Sequence, residues 1–122
     1  MTEDLAKRAV ASLHWRWMPG MLICPRAGDP AYRIVGVWLV EERQTGTYWK
    51  DPGIIPMRRD PVGLPDLTDP ATLGCLLALV REAWDDRYLC ASLSPRKLWM
   101  VDGWSLHDTE AEALVAALEA AP

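Results

Sequence analysis

Residues 32–41 read YRIVGVWLVE, and the sheet is built outward from that run. β-branched and aromatic residues dominate it. With a period of two, Tyr32, Ile34, Trp38 and Val40 fall on one side and Val35, Val37 and Leu39 on the other. Apolar residues on both sides predict one central strand, covered at least in part on each face. Gln44-Thr45-Gly46 then fits a hairpin loop, and Thr47-Tyr48-Trp49 returns as its antiparallel partner.

Upstream, Thr2 suits a helix N-cap, and Leu5, Ala6, Ala9, Val10 and Leu13 recur at helical spacing, which predicts a first helix ending near Leu13. In HWRWMPGM (14–21), Trp15 and Trp17 alternate with Arg16, the signature of extended chain. Pro19-Gly20 marks a turn, and Met21-Leu22-Ile23 a short strand before the loop PRAGDP. Downstream, residues 51–70 hold five of the ten prolines and two glycines, so neither a helix nor a central strand persists there. The apolar residues Ile54, Ile55, Met57, Val62, Leu64 and Leu67 imply that this Pro-rich loop, 51–68, packs against the body as a wall, lid or covering.

Asp69 then caps a second helix with Pro70 at its first position. Leu73, Leu76, Leu77, Val80 and Trp84 make one face, and Cys75, Ala78 and Leu79 extend the apolar surface around it. Such a helix is either the buried centre or shared with a second subunit. Residues 88–93 and 97–101 read as two strands joined across Ser94-Pro95-Arg96. Thr109 and Glu112 have capping-box spacing ahead of a last helix faced by Ala111, Leu114, Val115 and Leu118. The expectation is a single α+β domain in which a small antiparallel sheet of about five strands packs with three helices, in the order α-β-β-β-loop-α-β-β-α.

The 122 residues carry a formal net charge of −4, which argues against direct DNA binding and against an acidic membrane surface. Acidic residues never run beyond pairs such as Glu41-Glu42 and Asp85-Asp86, too sparse for a DNA mimic. Cys24, Cys75 and Cys90 are odd in number and lack CxxC spacing, so reduced thiols in a cytoplasmic setting are expected and a zinc site is not. The N-terminal run has no signal-peptide pattern, and no stretch reaches transmembrane length. Seven Trp with three Tyr and no Phe exceed what one small core readily encloses, so one or two indoles belong at a groove or contact surface.

Three stretches carry a resemblance: WRWMPGM (15–21), LPDLTDPATLGCLLALVREAW (64–84) and EAEALVAALEAAP (110–122). They resemble an uncharacterised family of small phage and prophage proteins, over about a third of the chain. The resemblance implies a phage or prophage origin and the host-cell cytoplasm as the setting. It brings no activity and no functional residue, and links to counter-defence only by association.

Catalytic chemistry finds little footing. His14 follows the first helix and His107 precedes the last, both suited to capping or exposed positions. No serine sits in a nucleophile elbow and no glycine-rich phosphate loop is present. Asp85-Asp86 supplies too few oxygens for a cation, and Cys75 on an apolar helix reads as an inert thiol. The chain is expected to be non-enzymatic, with no cofactor and no metal.

Binding is better supported. Trp15 and Trp17, projecting to one side of an extended segment at a spacing of about 7 Å, would admit a planar base between them; alternatively both clamp the first helix onto the sheet. Arg58-Arg59 suits phosphates or a solvated pair near Asp60 and Glu41-Glu42. Trp49 is a further wall and Trp104 a looser, exposed aromatic. The ligand-binding candidates are therefore Trp15, Arg16, Trp17, Trp49, Arg58, Arg59 and Trp104. They suit sequestration of a nucleotide-type small molecule by a homo-oligomer that counters host defence. The alternative is a protein-binding inhibitor of a host defence complex, with Trp and Arg at its interface, or a small virion or assembly protein.

Overall fold

The run 32–41 is a hairpin, not a single strand. The computed structural model describes residues 2–24, 30–42, 53–101 and 106–122, and in it β2 (Ala31–Val35) and β3 (Trp38–Glu42) pair antiparallel with Val35 opposite Trp38. The two residues between them are Gly36 and Val37. Gly36 has φ +60° and Val37 does not enter positive φ, which matches a two-residue turn with glycine at its first central position. The alternation in the sequence extends across the turn, so the strand pattern hides the break. Only Gly36 marks it.

β1 (Leu22–Cys24) lies beside β2, and two short strands emerge from the proline-rich stretch: β4 (Ile54–Pro56) beside β3 and β5 (Leu64–Pro65) beside β1. The five-stranded order is β4-β3-β2-β1-β5, and all four pairings are antiparallel. Both proline-bearing strands are at the edges, the place a sheet tolerates a missing N–H. The expected loop 51–68 thus contains two edge strands and no central one. The hairpin loop Gln44-Thr45-Gly46 and the return Thr47-Tyr48-Trp49 lie outside the described residues, as does most of PRAGDP.

Three helices complete the α+β fold: α1 (Thr2–Ala11), α2 (Pro70–Ala83) and α3 (Glu110–Ala120). α1 stops short of Leu13 because the Ser12 hydroxyl accepts the His14 N–H at 3.2 Å, an alternative partner that ends the helix; Leu13 is exposed instead of facing the core. The capping expected of Thr2 lies outside the described side chains. At α2, Asp69 caps as its sequence position predicts, accepting Thr72 N–H at 2.9 Å, with Pro70 next in the chain. At α3, Thr109 accepts the Glu112 N–H at 3.1 Å.

The enclosed helix is α3. It buries Ala111, Ala113, Leu114, Val115, Ala117 and Leu118, packing against α1, α2 and a separate hairpin of β6 (Ala91–Leu93) and β7 (Trp99–Val101). Five alanines on α3, three of them buried, let its neighbours approach closely. α2, the more continuously apolar in sequence, buries only Thr72, Leu76, Leu79 and Val80 among its residues. The core joins these helices to Ile23 and Ile34 of the sheet and to Met21 just before β1.

Candidate functional site

After α1 the WRWMPGM stretch runs back toward the sheet. Trp15 and Trp17 are brought together, but as partners for each other: their ring centroids are 5.4 Å apart and their planes meet at 86°. Edge-to-face contact suits the indole quadrupole and leaves no slot for a base between the rings. Both are half-buried and pack on the core. The Trp15 Nε1–H is buried and meets no acceptor among the described residues. Arg16 turns outward and pairs with Glu82 of α2 at 2.6 Å. At the Pro19-Gly20 turn, Gly20 adopts φ +100° and its N–H donates to Ile34 O at 2.7 Å.

Beside that turn sits a polar junction that sequence reading missed. Arg33 of β2 donates both terminal nitrogens to the Asp69 carboxylate, each at 3.0 Å. Its Nε donates to Glu42, and one terminal nitrogen also donates to Gly20 O at 2.8 Å. Asp69 in turn accepts the N–H and hydroxyl of Thr72, while the Thr72 hydroxyl accepts Leu22 N–H at 2.9 Å. The Arg33 hydrogen bonds, helped by those from Thr72 and against the cost of burial, hold the Asp69 carboxyl at a pKa of about 2. Arg33, bonded to Asp69 and Glu42, is held above its ordinary value. Every charge here is committed to joining β1, β2, β3 and the start of α2. That arrangement is structural.

The opposite condition holds at the tip of the β2–β3 hairpin. In β2 and β3, Tyr32, Ile34 and Leu39 pack on the core. By alternation Val35, Trp38 and Val40 face outward, with Ile54 and Pro56 beside them in register on β4. Val37 is 65 % exposed, Ile54 60 %, Val35 51 %, and Trp38 and Ile55 45 % each. Trp15, Trp17, Trp84 and Trp99 pack against the core, so among the described tryptophans Trp38 alone is an exposed one. The sequence signal for this was available: an apolar V-G-V-W placed around a turn glycine cannot all point inward.

Arg58 and Arg59 adjoin this corner. Met57 N–H donates to Val37 O at 2.7 Å, so the pair leaves directly from the hairpin tip. Both are exposed. Neither has a carboxylate partner among the described residues, whereas Arg8, Arg16 and Arg33 each have one. Trp15, Arg16 and Trp17 are grouped elsewhere, near α2, and do not share a described contact with Arg58 and Arg59. Trp49 and Trp104 lie outside the described residues.

Other chemistry is sparse. One surface depression lies by Arg81, Glu82, Asp85 and Tyr88 at the end of α2 and another by Arg8, Leu13, His14 and Glu119. Neither is lined by a proposed ligand residue. No cluster of three or more His, Cys, Asp or Glu suited to a metal occurs among the described residues. His14 Nε2 lies 3.3 Å from Ala121 O, and His107 exchanges backbone hydrogen bonds with Trp99. Burial pushes the Cys75 thiol up, toward the unreactive protonated form. No described helix is long and apolar enough to cross a membrane. The chain matches no family model, no curated protein and no solved structure.

Proposed function

We propose that this chain is a non-enzymatic binding protein whose principal partner is another protein. The observation that carries the reading is the apolar corner of Val35, Val37, Trp38 and Ile54, followed along the chain by two exposed arginines with no ion-pair partner among the described residues. Apolar side chains exposed together, rather than scattered singly, mark interaction sites, and Trp with Arg is the composition of interface hot spots. The resemblance to small phage proteins supports a setting in which that partner belongs to a host defence complex and docking inhibits it, with the host cytoplasm as the site of action.

A photo-crosslinking residue placed at position 37, and at the exposed position 13 as control, tests this in lysate of a defence-active host. A discrete protein adduct at 37 and none at 13 is expected; equal labelling at both positions removes the docking role.

A second reading has one observation in its favour. Arg58 and Arg59, which follow the strand paired with Trp38, also suit a nucleotide, with phosphates on the guanidiniums and the base on the exposed indole. Sequestration of such a molecule predicts a releasable nucleotide in native mass spectra of protein purified from that lysate, lost in the Arg58→Ala/Arg59→Ala variant.

A further inference from the structure

We propose that the corner takes an acidic amphipathic helix of the partner, its apolar side chains seated on Trp38 and Ile54 and its carboxylates on Arg58 and Arg59. The proposal rests on the docking role above and adds the chemistry of what docks. Three observations carry it.

The first concerns how a partner can bind. Glu41 N–H donates to Gly53 O and Met57 N–H to Val37 O, so Gly53, Ile55 and Met57 direct their backbone groups toward β3. Ile54 and Pro56 direct theirs to the open edge. Proline has no N–H, which leaves the Ile54 N–H as the one donor that β4 itself offers there. An added strand needs a row of donors and acceptors. Strand addition is therefore disfavoured at this edge, and a partner engages side chains instead, as a helix laid on an apolar surface does.

The second concerns charge. The chain carries a net −4, yet its adjacent Arg58 and Arg59 lack an ion pair among the described residues while Arg33 of β2 is committed to Asp69 and Glu42. Two guanidiniums beside an apolar patch complement carboxylates at the border of an apolar helix face, each capable of a forked, charge-assisted pair. The acidic remainder of the surface repels basic partners and so sharpens the choice.

The third is the distribution of the apolar side chains. Val35, Trp38, Ile54 and Pro56 share one face through the registers Val35–Trp38 and Trp38–Pro56, and Val37 extends that surface at the tip. Neighbouring strands are about 4.8 Å apart, so three strands present a surface about as wide as a helix.

The experiment pans a random peptide display library, about 16 residues long or roughly four helical turns, against the full chain and against Trp38→Glu. Circular dichroism first establishes that the variant folds. Enrichment of peptides with apolar residues at i, i+3 and i+4 bordered by Asp or Glu, lost on Trp38→Glu, is expected. A synthetic peptide of that consensus then binds about tenfold more weakly to Arg58→Ala/Arg59→Ala, the equivalent of about 1.4 kcal/mol, and weakens as salt rises. Peptides enriched through the corner but basic or uncharged overturn the proposal and leave the docking role standing. Enrichment indifferent to Trp38→Glu, or none above an unrelated protein, overturns both. A concentration-dependent dimer in light scattering that Trp38→Glu abolishes shows a second copy covering the corner, and overturns the helix as occupant.

Discussion

Arg33 and Trp38 are five residues apart on one hairpin, and their surroundings are opposites. Around Arg33 each charged or polar group has a named partner, and the contacts span β1, β2, β3 and the cap of α2. Around Trp38 the apolar side chains are open and the nearby arginines are unpaired among the described residues. The same two strands therefore do two jobs. Committed polar groups set the geometry; uncommitted ones remain for a partner.

Breaking the committed end has the largest effect expected. Arg33→Met leaves a mostly buried Asp69 carboxylate with only Thr72 as its partner and should cost about 3 kcal/mol in urea unfolding. A loss under about 0.5 kcal/mol removes the contrast between the two ends. Asp69→Asn keeps a competent cap but removes the charge, and should cost about 2 kcal/mol at neutral pH. Its pH dependence sharpens the point. Because folding lowers the Asp69 pKa from 3.8 to about 2, its contribution is complete above pH about 4, declines as pH falls and is gone below about 2. The wild-type chain should lose stability across that window more steeply than Asp69→Asn; parallel curves refute the assignment.

A smaller effect separates two core indoles. Trp84 Nε1–H donates to Ala117 O at 2.8 Å on α3, so Trp84→Phe strands a carbonyl and should cost about 1–3 kcal/mol. Trp15 Nε1–H has no acceptor among the described residues, so Trp15→Phe should change stability by less than about 1 kcal/mol, lost area offsetting a relieved polar group. Equal losses in thermal unfolding would set this distinction aside. Gly36→Ala tests the turn: nothing lies within 4 Å of a built Cβ, so its cost of about 1 kcal/mol is the left-handed backbone alone. At the open end, Val37→Asp should shift stability by no more than about 0.5 kcal/mol while abolishing binding of the consensus peptide at the corner.

How much of this was legible in the residues varies along the chain. The caps at Asp69 and Thr109 were, because a short polar side chain before a helical run has few other uses. The edge placement of β4 and β5 was implicit in Pro56 and Pro65, although the strands themselves were not, since two or three residues carry no period. The break at Gly36 was obscured by alternation that stays in phase across a two-residue turn. Arg33 gave no sign of its role, because its partners Asp69 and Gly20 are distant in sequence and only the folded sheet unites them. Trp15 and Trp17 were recognised as a pair, but whether two indoles face a ligand or each other depends on ring rotation, which sequence spacing does not encode. The alternation around Trp38 predicts a covered strand; its exposure follows from the hairpin ending beyond the core.

The prolines at both ends of the sheet bear on how the protein survives at high concentration. Apolar surface next to a free strand edge is the usual seed of fibrils, since each added chain restores the edge it consumes. Here Pro56 and Pro65 stand on the two outermost strands and interrupt the backbone donors that each new layer would need. The chain can therefore display Val37, Trp38 and Ile54 to water while it is being made and remain resistant to stacking into cross-β polymers.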